Sequence, residues 1–187
     1  LFGAVGALFT CFMVIPAVNF CAQKYGKKIT FLLSQSVSLV GYILLWWGFS
    51  PDQPWLMFLP LPLFSFGIGG LFTIMMSMTG DVCDMDELET GKRRAGTFGA
   101  IYWLMVKIGT GLALMSAGFI MHVIGWDSTA ASQTNEALFL LRLSYIIVPS
   151  VGSMLAILVM LNYDLDETKA NDIRAQLDAR QAANVAN

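Results

Sequence analysis

Five long apolar stretches alternate with short polar ones along this chain. Residues 1–22 carry no charge, and neither do residues 29–50. A third stretch, 54–79, has Pro54, Pro60 and Pro62 near its start. The fourth, 97–123, contains Lys107, and the fifth, 137–163, contains Arg142. Each reaches the roughly 20 residues that a helix needs to cross a hydrocarbon core about 30 Å thick. None shows the strict alternation of a barrel strand. The pattern predicts an all-α, polytopic transmembrane helical bundle, with five spans in a transmembrane domain over 1–163. The prolines predict an irregular start to the third span, tolerable where protein or water re-satisfies the backbone. From Asp164 the sequence turns polar, and Ile173 and Leu177 stand four apart. The tail, 164–187, is expected to form a short helix with one weak apolar edge and a frayed end.

Composition agrees with the pattern. Hydrophobic residues make up 56% and charged residues 13% of the chain, and the mean hydropathy is +0.64. Soluble domains carry about 25% charged residues. Half that share cannot coat a water-facing surface, which argues against a soluble enzyme and a disordered chain. A net charge of −2 offers no basic footprint for nucleic acid. Cys11, Cys21 and Cys83 fit neither a disulfide framework nor a zinc pattern. The implied partner is the lipid bilayer. The sequence opens at Leu1 inside an apolar run, with no charged region before it. That is not a signal peptide; it reads as a cut end, so N-terminal spans are expected to be missing.

Lys and Arg set the orientation. Lys24, Lys27 and Lys28 follow the first span, Lys92, Arg93 and Arg94 the third, and Lys169, Arg174 and Arg180 lie in the tail. The connections after the second and fourth spans hold none. The positive-inside rule places the basic segments and the C-terminus in the cytoplasm of a multi-pass cell-membrane protein.

Two cations lie within spans. Arg142 is about five residues inside the fifth, close enough to snorkel to the interface. Lys107 is about ten residues inside the fourth, roughly 15 Å deep. A central Lys costs about 2.5–3.5 kcal/mol, which favours a substrate or coupling-ion pathway over a purely structural pair. All 13 acids lie outside the spans. The partner of Lys107 is therefore elsewhere in a longer polypeptide, on a substrate, or replaced by water. Helical periodicity puts Ala100, Trp103, Lys107, Thr110, Gly111 and Leu114 on one face, flanked by Tyr102. The aromatics suit either stacking on a sugar ring or an interfacial belt and helix packing. Gly109, Gly111 and Gly118 are expected to serve close helix packing.

The stretch 81–94 reads as a loop with Asp81, Asp84, Asp86, Glu87 and Glu89, then three basic residues. A metal site, a solvated charge run and an ion-paired gate all fit, metal least because no His joins the acids. His122 has no triad partners, and no HExxH, GxSxG or phosphate-loop motif is present. Nothing nominates an enzyme.

The block GDVCDMDELETGKRRAGTFGAIYWLMVKIG, residues 80–109, resembles a segment of the glycoside–pentoside–hexuronide:cation symporters of the major facilitator superfamily. It is similar to their loop between the tenth and eleventh helices and to the eleventh helix itself. The family pattern is an acidic stretch, here Asp81, Asp84 and Glu87, a basic run, and a helix with a single Lys before small residues. QKYGKK at 23–28 and the tail from Tyr163 resemble the family too, so the similarity covers essentially the whole chain.

The resemblance implies helices eight to twelve of a twelve-helix transporter, five spans of its C-terminal half. It implies symport of a sugar or glycoside with Na⁺ or H⁺ by alternating access, with no cofactor beyond the coupling cation. It places Lys107 near the sugar and cation sites, with Trp103, Tyr102 and Thr110 lining the cavity. Asp81, Asp84, Glu87 and Arg93 would form the cytoplasmic gate. The membrane-embedded acids would lie mostly in the N-terminal half, the missing partner. Melibiose permease, a familiar member, has polar residues where this chain has Tyr102 and Trp103, and a Trp where it has Phe72, so the substrate need not be melibiose. A carrier of a non-sugar solute and a non-transporting regulatory membrane protein are the alternatives.

Overall fold

The computed structural model describes residues 10–49, 53–127, 129–130 and 132–185. A π-type turn, Thr10–Val14, leads into α1 (Ile15–Tyr25). Helix α2 spans Lys27–Gly48. A short 3₁₀ helix, Pro54–Phe58, precedes α3 (Pro60–Thr90). Then come α4 (Ala95–Val123), α5 (Asn135–Leu161) and the tail helix α6 (Glu167–Val185). No strand occurs among the described residues. Helices α2, α4 and α5 and the segment Trp55–Thr90 are each long and apolar enough to cross a membrane. The first expected span, 1–22, has residues 1–9 outside the described residues; from Thr10 it is helical.

Local chemistry sets the ends. Pro60 and Pro62 sit in the first turn of α3, where a missing N–H costs no helical bond. Gly26 and Gly91 have φ of +82° and +68° and close α1 and α3, a conformation that glycine adopts without a Cβ clash. The Thr134 hydroxyl accepts the Ala137 N–H at 3.2 Å and caps α5.

One expectation is corrected. Residues 81–90 are not a loop: α3 continues through them to Thr90, and only 91–94 connect it to α4. Apolar character ends near Thr79, but no Gly or Pro stands between Asp81 and Thr90 to break the helix. Helix i, i+3 spacing then puts Asp81, Asp84 and Glu87 on one side of α3.

The core joins Val14, Val18, Phe31, Ile74, Met78 and Met160. Helices α2 and α3 approach closely. A Cβ on Gly67 would overlap Ser38, and one on Gly70 would overlap Ser34. Gln35 Nε2 donates to the Gly67 carbonyl at 3.1 Å. This is small-on-small packing with a buried polar tie. Gly109, Gly111 and Gly118, expected to do this work, would have no neighbour within 4 Å of a Cβ among the described residues. No residue of α4 is buried.

Candidate functional site

Lys107 stands near the middle of the 29-residue α4. It is exposed and makes no hydrogen bond or ion pair among the described residues. Trp103 and Thr110 are exposed on the same side, as the 3.6-residue period requires. The Thr110 hydroxyl donates to the Val106 carbonyl at 2.8 Å, so its oxygen keeps free lone pairs. Tyr102 belongs to the other side. It lines a cavity of about 610 Å³ with Met75, Thr79, Val159 and Tyr163. Its ring meets Trp103 edge-on at 5.4 Å. Phe72 is 45% exposed on α3, and no ring contact or hydrogen bond joins it to the α4 residues among those described. The structure thus groups Trp103, Lys107 and Thr110, ties Tyr102 only to Trp103, and leaves Phe72 outside that group.

The acids at the end of α3 form a second constellation. Asp81 is 4% exposed. Lys27 Nζ donates to its two oxygens at 2.7 and 2.5 Å, and Arg174 Nη2 donates at 2.5 Å. Arg174 Nε lies 3.5 Å from Asp84, and Arg93 lies 3.7 Å from Asp84 and 2.8 Å from Glu87. Arg94 grips Asp86 through two bonds, and these hold the Arg94 guanidinium above its usual range. Arg180 donates to the Leu88 carbonyl at 2.7 Å. Ala170 and Leu177 are buried, so Leu177 supplies the apolar edge expected of the tail.

The four acidic and basic residues nominated from sequence, Asp81, Asp84, Glu87 and Arg93, are therefore brought together. Lys27 and Arg174 were missed as their partners. Lys27 lies in the QKYGKK segment, at the start of α2, but no periodicity links it to α3, and Arg174 is 93 positions from Asp81. Among the described residues no group of three or more His, Cys, Asp or Glu is placed to hold a metal.

Arg142 differs from its expectation. It is not simply snorkelling: it is partly buried, donates to the Trp46 carbonyl, and stacks 4.9 Å from the Trp46 ring centroid. Its Nε is buried without a partner.

The sequence model of a family described as MFS/sugar transport protein matches residues 1–167. The chain belongs to that family. With four helices long and apolar enough to cross a membrane, it is a multi-pass membrane chain of a transporter family. An uncharacterized symporter of Synechocystis sp. is 32% identical over 170 residues, covering 87% of this chain and 31% of the relative. A glucuronide carrier protein homolog of Escherichia coli is 27% identical, over 89% of this chain and 36% of the relative. An isoprimeverose transporter of Lactiplantibacillus pentosus is 24% identical, over 95% and 37%. These names fit the glycoside–pentoside–hexuronide:cation symporters that residues 80–109 resemble. The chain spans about a third of the length of these relatives. No solved structure gives a significant match.

Proposed function

We propose that this chain contributes the C-terminal part of a symporter that moves a sugar or glycoside with Na⁺ or H⁺ by alternating access. The observation that carries the reading is Lys107. An ammonium at mid-helix, on a face with no carboxylate among the described residues, is too costly to leave in hydrocarbon. Placed instead in a water-filled cavity between two halves, it is solvated and meets anionic groups from the facing helices. Trp103 offers a flat apolar surface for sugar C–H groups, and Thr110 a hydroxyl for sugar oxygens. The N-terminal half would cover the face of α4 and supply the acids that hold the coupling cation.

The Asp81–Asp84–Glu87–Arg93 cluster would act as the gate at the end away from the 3₁₀ helix. By the positive-inside rule that end, with the C-terminus, faces the cytoplasm. Ion pairs at such a position can exchange partners as the halves rock.

The test is uptake of labelled glycosides by the full-length protein in membrane vesicles, with an imposed Na⁺ or H⁺ gradient. Accumulation driven by one gradient is expected, with that coupling lost in Lys107→Ala. Uptake indifferent to both gradients refutes symport.

A further inference from the structure

At the end of the bundle opposite Asp81, Arg142 is a cation with no anion paired to it among the described residues. Its guanidinium is fixed by the Trp46 carbonyl and the Trp46 ring. Neither neutralises its charge, and the buried Nε is unpartnered. No carboxylate pairs with it among the described residues. Glu136, on the same helix, is exposed and unpaired. Asp127 is engaged by the N–H and hydroxyl of Thr129.

Beside Arg142 lies a cavity of about 650 Å³, lined by Phe49, Met57, Leu138 and Phe139. A second cavity of about 530 Å³ shares Met121, Leu141 and Tyr145 with the first and continues past Ile68 and Val148. One fixed cation at the head of a long apolar space suits an amphiphile. A small hydrated anion would lose its water to these walls and gain a single partner.

We propose that Arg142 and these adjoining cavities bind one anionic phospholipid, its phosphate on the guanidinium and an acyl chain along Leu141 and Val148. A guanidinium fork matches phosphate geometry, and its bond to Trp46 holds the fork in place before the lipid arrives. The lipid removes the cost of an unpaired cation below the interface, a cost the described residues leave standing. The site is separate from the Lys107 face, so it bears on lipid dependence and not on the choice of solute.

The test is native mass spectrometry of the full-length protein, equilibrated in detergent with equal amounts of phosphatidylglycerol and phosphatidylcholine of identical chains. Retention of one phosphatidylglycerol is expected, preferred by about fivefold, the worth of one basic residue near a headgroup. Arg142→Gln should bring the two lipids to parity. Lys24→Gln, at the basic end, should leave the preference intact. Should Arg142→Gln fail to fold, Val148→Trp keeps the cation and narrows the cavity; it should lower retention of both lipids. Parity in the unaltered protein overturns the proposal. So does a preference that survives Arg142→Gln, one lost in Lys24→Gln, or lipid retention unchanged by Val148→Trp. Displacement of the lipid by inorganic phosphate alone would show a free-anion site and overturn it too.

Discussion

Arg174, on the tail helix, holds Asp81 of α3 at 2.5 Å across 93 positions of sequence. Lys27 holds the same carboxylate from the start of α2. Asp81 therefore fastens three elements at once. Removing one partner from a buried pair costs about 3–5 kcal/mol, because the remaining charge is stranded. The Lys27 side chain is 14% exposed and that of Arg174 is 46% exposed. Solvent screens the second pair and holds its share to about 1 kcal/mol or less. Asp81→Asn should therefore destabilise the protein far more than Arg174→Gln in thermal unfolding. Both should release the tail and speed tryptic cleavage at Arg180. Equal thermal losses in the two variants would show that the Lys27 pair adds nothing.

A second prediction concerns the contact of α2 with α3. A Cβ at position 67 would overlap Ser38. Gly67→Ala should cost about 1–3 kcal/mol, the usual penalty for overfilling a packed interface. Ser38→Gly removes the obstructing atoms, although it adds a helix-interior glycine. The double variant should be more stable than Gly67→Ala alone. If the two penalties simply add, the overlap is not what position 67 opposes.

The Lys28 ammonium donates to the carbonyls of Leu161 at 3.0 Å and Tyr163 at 2.7 Å. It satisfies groups that the end of α5 leaves unpaired, and its charge suits a helix C-terminus. Lys28→Met should cost about 0.3–1 kcal/mol. The loss should appear locally, as faster hydrogen exchange in the last turn of α5 with little change in α3.

Spans were legible because burial in hydrocarbon demands long uninterrupted apolar runs, and this chain has them. The extent of α3 was not, because hydrophobicity reports where the membrane ends and not where the helix ends. Gly91 marked that boundary more faithfully than Thr79. The acids at the end of α3 were legible as a motif, whereas their partners Lys27 and Arg174 were not, since long-range ion pairs leave no local period. The α2–α3 glycines escaped notice for a related reason. Gly67 and Gly70 matter through what faces them, Ser38 and Ser34, and sequence spacing on one helix does not report the neighbour.

The role of Lys107 turns on whether its face of α4 meets water or lipid. Thiol chemistry separates the two. Only the thiolate reacts, and it forms in water but not in hydrocarbon. Thr110 shares the side of Lys107, while Ile147 on α5 is 47% exposed within an apolar span. With the native cysteines replaced by Ser, Thr110→Cys should label much faster than Ile147→Cys with a membrane-impermeant reagent. Lys107→Cys should behave like Thr110→Cys, and transported glycoside should slow both. The comparison holds whether or not the variants still transport, because it reads solvent access alone. Equally slow labelling at 110 and 147 would place the α4 face against lipid or packed protein, and Lys107 would then line no aqueous path.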